Sequence, residues 1–159
     1  MPTMKLGILA KSYRNTGTYG TPVLSEVTCI SDWASNGSWD TVEASTRASR
    51  VKSGAKTLFD VGVSGKLKVS DTDANYLAFR AALFSQTTTL DLIILDGPST
   101  TNGVTGIRAN FIVSKGDQSQ GIGDALFLDI TLMPDAYTDS AQQPSSVLVT
   151  AGAPVYTAI

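Results

Sequence analysis

The chain has 159 residues, 42% hydrophobic and 16% charged, and 14 acids against 12 bases give a formal charge of −2. That size suits one domain able to bury roughly 70% of its unfolded surface, and the mildly acidic balance argues against a surface built to hold nucleic acid. The absence of histidine removes the commonest general base and metal ligand, and a single cysteine, Cys29, excludes an internal disulfide. No apolar run approaches the ~18 residues of a membrane-spanning helix. The run at 6–10 is too short for a signal peptide, so the sequence reads as a protein made and folded in a cytosol.

In chain order, Leu6, Ile8 and Ala10 alternate as a first strand, and 15–22 is a loop rich in Gly and Thr. Residues 23–30 read as a second, weaker strand, in which Cys29 takes the place of a small buried apolar residue. Asn36-Gly37 predicts a hairpin turn between Trp33 and Trp39, because type I′ turns need positive φ at both central positions. The two tryptophans are core or edge residues, or else a ligand platform. After a strand at 38–44, the stretch 45–57 carries Arg47, Arg50, Lys52 and Lys56 without an acid and predicts a long basic hairpin loop.

Residues 61–95 read strand, helix, strand. Val61, Val63, Leu67 and Val69 alternate with small or polar residues. Asp71 then supplies an N-cap for a helix over about 72–84. Its stripe is Tyr76, Phe79 and Leu83, widened by Leu77, Ala81 and Phe84. Residues 90–95 (LDLIIL) form a strand closed by Asp96-Gly97-Pro98, and a second Asn-Gly pair, Asn102-Gly103, lies in the following loop. Residues 106–114 alternate cleanly, 115–123 read as a polar loop, and 125–133 as the last strong strand. Its outward face is Phe127, Asp129, Thr131 and Met133, and an exposed row holding Phe127, Ile112 and Met133 fits a sheet covered on both faces or buried by assembly. From Pro134 onward the chain is poor in large apolar residues, so the tail is disordered or laid along a neighbour, with 147–150 able to add a short strand.

Searches for chemistry return little. Asp71-Thr-Asp73 opens like a calcium loop, but Tyr76 and Ala82 stand where glycine and glutamate are required. Ser49-Arg-Val-Lys52 and Ser53-Gly-Ala-Lys56 spell the serine–lysine pattern without its partner elements. Gly121-Ile-Gly123 lacks the third glycine of a dinucleotide fingerprint. The acids are scattered singly, so no catalytic or metal set and no cofactor is expected, and the protein is read as not an enzyme.

The order of these elements resembles the major tail tube proteins of long-tailed (siphovirus-like) bacteriophages. The segment 43–50 (EASTRASR) looks like the family's acidic-then-T-R-x-S opening of a long loop, although Val51 and Lys52 stand where an aromatic is frequent. The stretch 71–84 corresponds to its helix, and 92–97 (LIILDG) to its strand and turn. Residues 106–113 (GIRANFIV) are similar to its G-[LI]-x-A-[DN]-F-x-[IV] strand, and 124–136 to its last strand.

The resemblance implies a mainly β, β-sandwich tail-tube fold with one flanking helix and extended terminal arms: a domain over 1–136 and an extended arm over 137–159. It implies hexameric rings stacked into a hollow tube in the virion, with phage DNA passing through unbound, no membrane, and tape-measure, tail-tip and terminator proteins as partners. The basic loop (Arg47, Arg50, Lys52, Lys56) is then expected to meet acids of an adjacent subunit or ring. The alternative is a monomeric β-sandwich ligand-binding module using Trp33 and Trp39.

Overall fold

A computed structural model describes residues 10–43, 54–119, 125–135 and 144–158, with the backbone alone described at 39, 41–43 and 54–60. The described residues form β1 (Lys11–Asn15), β2 (Leu24–Glu26), β3 (Ile30–Glu43), β4 (Gly54–Lys68), α1 (Ala74–Leu83), β5 (Leu90–Leu95), β6 (Thr105–Ser119), β7 (Phe127–Pro134), β8 (Ser145–Thr150) and β9 (Ala153–Ala158). The chain is mainly β with one helix, as expected from the sequence.

Every ladder is antiparallel and belongs to one sheet, ordered β2-β1-β5-β6-β7-β4-β3, with β8 added to β6 and β9 to β8. The layering comes from β6. One edge of β6 pairs with β5 through Phe111. Its other edge pairs with β8 at Thr105–Arg108 and then with β7 from Phe111 onward. The sheet therefore forks, and the β8–β9 hairpin folds over one face of the β5 end.

Strand alternation divides the core accordingly. On the first face, Val61, Val63, Leu67, Leu90, Leu92, Phe111, Leu128 and Leu132 pack under Tyr76, Phe79 and Ala82 of α1. On the second face, Ile93 and Leu95 meet Tyr13, Val147 and Val149. Cys29 is buried in the first cluster, as expected; burial and the nearby Asp73 carboxylate push its thiol pKa up to about 11.

Several expectations change. Asn36 and Gly37 do not turn: they pair with Gly62 and Val61 in the middle of β3. Cross-strand pairing along the whole of β3 overrides the local turn preference. The basic loop is shorter than 45–57, since Gly54 to Thr57 already belong to β4. Arg47, Arg50 and Lys52 lie outside the described residues, as do 1–9, which hold most of the expected first strand. Residues 115–119 extend β6 rather than forming a loop. A register shift between Val113 and Lys115 breaks the alternation there.

The residues after Pro144 are not an extended arm. Thr150 pairs with Ala153, and Ala151 (φ 52°) and Gly152 (φ 76°) make a two-residue turn with both central residues left-handed, the backbone of a type I′ hairpin. Val147, Val149 and Tyr156 lie on the face that borrows its core from β1 and β5, so the hairpin needs few large residues of its own.

The helix cap also moves. Asp73, not Asp71, is the N-cap: its Oδ1 accepts from the Asn75 and Tyr76 amides at 2.8 and 3.0 Å. Buried Asn75 sets this phase by accepting from Arg14 Nε at 2.8 Å and donating to the Glu26 carbonyl at 3.0 Å. Leu77 and Phe84, read as part of the buried stripe, face outward at 44% and 80% exposure. Replacing Asp73 by alanine should cost about 1 kcal/mol in urea unfolding, as for other lost caps, while Asp71→Ala leaves the midpoint nearly unchanged.

Candidate assembly interface

The structure is held on its second face by one buried charge. Arg108 is only 2% exposed, although it sits in a strand that the sequence reads as simply alternating. Its Nε and Nη2 donate to the two carboxylate oxygens of Asp91 at 3.0 and 2.5 Å, and Nη2 also donates to the Tyr19 carbonyl at 2.9 Å. The guanidinium lies 3.8 Å from the Tyr19 ring centre and 4.6 Å from that of Tyr156. Asn15 completes the set by donating to Asp91 Oδ2 at 2.8 Å and accepting from the Gly17 and Val23 amides.

Burial disfavours the Arg108 charge, but the hydrogen bonds and charge of Asp91 outweigh it and hold its pKa above the ordinary value. Burial also raises both tyrosines, against the pull of Arg108. One side chain thus ties β5, β6, the loop at 16–23 and the C-terminal hairpin together. The signal in the sequence was an acid and a base each embedded in an apolar run, LDLIIL and GIRANFIV.

With that end of the molecule fixed, the opposite end is left unfinished. β7 pairs with β4 only from Val63 to Lys68. Beyond it, among the described residues, β3 and β4 pair only with each other, as a two-stranded ribbon reaching to Glu43 and Gly54. Among the described residues, β3 has no second neighbour along its length. Among the described residues, β6 likewise has no partner on its β5 side after Phe111. The section β6-β7-β4-β3 therefore has two open edges, and an isolated two-stranded ribbon is marginal in water.

Its two faces differ. One continues under α1. The other places Asp32, Lys66, Asp129 and Asp117 in one row across four strands by direct register. Lys68, Phe127 and Ser119 form the next row on one side, and Ser64, Thr131 and Lys115 the next on the other. Lys66 Nζ lies 4.8 Å from the Phe127 ring centre, and Lys115 pairs with Asp117 at 2.5 Å. Three carboxylates and three ammonium groups balance around a depression of about 360 Å³ lined by Asp32, Lys66, Asp117 and Asp129.

The residues singled out from sequence are not gathered into a pocket. Lys56 stands in β4 opposite Thr41. Asp71 follows the far end of β4, so it lies at the end of the sheet away from the ribbon tip. Trp33 and Trp39 are six residues apart in β3, about 20 Å along a strand. Trp33 is used internally: its ring covers Gly65, where a Cβ would come within 3.0 Å, and its Nε1 donates to Ser12 Oγ at 2.6 Å. Among the described residues, no group of three or more acids or cysteines could hold a metal ion, and no helix is long and apolar enough to cross a membrane.

Among the described residues, the sheet is finished at one end and open at the other. The fold is the tail-tube fold. It is similar to the SPP1 tail tube, with a TM-score of 0.66 at 11% identity over 82% of this chain and 76% of that one. A chain in the virion of a native gene transfer agent particle matches with a TM-score of 0.62 at 11% identity, over 98% of this chain and 100% of that one. A chain in the baseplate of the anti-feeding prophage matches with a TM-score of 0.60 at 12% identity, over 85% and 95%. No family model and no curated protein sequence matches the chain.

Breaking the Arg108–Asp91 pair from either side leaves a buried charge unpaired. Arg108→Ala and Asp91→Ala should each lower unfolding stability by about 3–5 kcal/mol, and the double variant should cost much less than their sum. Urea denaturation of the four proteins measures this directly.

Proposed function

We propose that this chain is a structural virion protein: the subunit of a hollow, phage-like tail tube through which DNA is delivered. The observation that carries the reading is the four-stranded section with both edges open. Long exposed edges are normally blunted or covered. Here they complement each other. The four strands alternate in direction, so β3 of one copy meets the open edge of β6 in the next copy running antiparallel. Such a head-to-tail contact is heterologous and closes into a ring when the rotation allows. Six copies, as the resemblance implies, would join their strands into one barrel without edges.

The balanced polar face then lines the lumen, and the face under α1 turns outward. Lysines interspersed with aspartates offer a passing polyanion no fixed cluster of cations, which is what transport without binding requires. Nothing in this role is enzymatic. The chain would be made in the host cytoplasm and reside in the tail, with tape-measure, tail-tip and terminator proteins as its other partners.

Stacking uses the two ends of the section. The ribbon points one way along the strands and Asp71 lies at the other end. Rings stacked head to tail bring Arg47, Arg50, Lys52 and Lys56 toward acids such as Asp71 on the next ring. Negative-stain electron microscopy of the purified, concentrated protein is expected to show hollow rods or stacked rings. Rods of the double variant Arg47→Glu/Arg50→Glu should require a higher protein concentration and lose the salt sensitivity of the wild type. Small single particles under all conditions, with a ligand that binds saturably, would replace this reading by the binding module. Unchanged assembly of the charge-reversed variant would remove the ion pairing alone.

A further inference from the structure

Two strand edges that join copies must also choose a register. Counted straight across the ladders, Lys115, Thr131, Ser64 and Ala34 lie level, and so do Asp117, Asp129, Lys66 and Asp32. Copies joined without an offset set Asp117 of one directly opposite Asp32 of the next on the same face, where like charges are destabilising. They also carry β3, from about the height of Gly37 onward, past Phe111 to the part of the β6 edge that β5 already fills.

The chirality of the sheet gives an offset its direction. The α1 face carries Ala109 and Phe111, so Asn110 points its side chain to the other face, and its carbonyl accepts from the Asp135 amide just past β7 at 2.8 Å. In a strand of L-residues seen running upward, a residue whose side chain points away from the viewer turns its N–H and C=O to the left. Seen from the α1 face with β6 upward, β7, β4 and β3 therefore follow to the left, and the next copy's β6 lies left of β3. Strand twist makes barrel strands lean to the right as they rise, viewed from outside. A line straight across them climbs to the left, so the neighbour's Asp117 falls below the line through Asp32, on the side of the ribbon. At a tilt of about 35–45° and a spacing of about 4.8 Å, each strand is offset from the last by about 3.4–4.8 Å. Over the four strands β6-β7-β4-β3 this comes to about 13–19 Å, or roughly four to six residues at about 3.3 Å each.

We propose that the seam between copies is staggered by roughly four or six residues, so that Asp117 of one copy stands opposite Asn36 or Ser38 of the next. This rests on the ring reading with α1 outward. Only even offsets keep the faces, because Asp117 shares the polar face with the even-numbered residues from Asp32 to Ser38. Asp117 then meets an uncharged side chain. The open stretch of β6 after Phe111 lies against the part of β3 that, among the described residues, only β4 supports.

The test uses the full chain with Cys29→Ala. Three variants carry Asp117→Cys together with Asn36→Cys, Ser38→Cys or Asp32→Cys, all exposed positions. Directly opposed residues of antiparallel strands have Cα atoms about 4.5–5.5 Å apart, within disulfide reach. Inside one copy the paired sites are at least three strand spacings apart, about 14 Å, too far for a bond within the chain. Oxidised rods dissolved in denaturant should give a ladder of linked chains from the Asn36 or the Ser38 variant, and single chains from the Asp32 variant. Should a variant form no rods, Ser119→Cys with Ala34→Cys or Asn36→Cys reads the same register one step along. A ladder from the Asp32 variant alone would overturn the stagger and leave the ring reading standing. Rods without a ladder from any variant would overturn the joining of β6 to β3. If the wild type forms no rods, the ring reading falls and the stagger with it.

Discussion

β6 has more edge than the other described strands fill. Its fifteen residues form one edge that is fully used, by β8 and then β7, and another used only as far as Phe111. Everything else in the architecture follows from where that pairing stops. Upstream of Phe111 the strand sits inside a closed arrangement, with β5 on one side, β8 on the other and the C-terminal hairpin folded over its second face. Downstream it belongs to a four-stranded sheet whose second face is open and polar. One continuous strand thus joins the two parts of the sheet.

Arg108 is placed to hold the upstream part in one arrangement. Its partner Asp91 and its two tyrosines come from β5, the 16–23 loop and β9, which are far apart in sequence. A hydrophobic side chain of similar size could fill the same space at comparable or better stability. The ion pair adds direction: a planar fork accepts one carboxylate geometry, and its two faces accept one placement of each ring. The hairpin is held in one register against β6, and the position of Phe111, where the open edge begins, is held with it.

The legible parts of the sequence were those whose period reports burial directly. β5 and the core of β7 alternate or run apolar because both flanks are packed, and the stripe of α1 centred on Tyr76, Phe79 and Leu83 reports a single covered face. What was hidden had two physical causes. Residues 115–119 and the ribbon around Asn36-Gly37 have little core to face, so their composition looks like loop although their backbone is strand. The hairpin at 145–158 carries only half of a core, and the other half is donated by Tyr13, Ile93 and Leu95. Asp71 and Asp73 could not be told apart as caps because the choice was made by Asn75, whose partners are a side chain from β1 and a carbonyl from β2. The expected site was legible only as a composition bias, four cations without an acid, whereas the open edge of β6 and the balanced polar face exist only once the register is known.

Open edges invite indiscriminate pairing, and this sheet limits them by its irregularities. Three register shifts interrupt its described ladders, at Ile30/Asp32, at Trp39/Thr41 and at Val113/Lys115. All three fall in ladders that include β3 or β6, the two open-edged strands. A bulge increases local twist and bends the strand that carries it, so a flat strand from an unrelated chain cannot follow either edge for long. The same bending is what a sheet needs before its ends can meet those of other copies around a cylinder. Curvature that favours closure and irregularity that discourages fibres are then one property of the backbone. At two of the three shifts the extra residue is a serine, Ser31 or Ser114, whose hydroxyl donates to a carbonyl of the partner strand, Lys66 or Thr131.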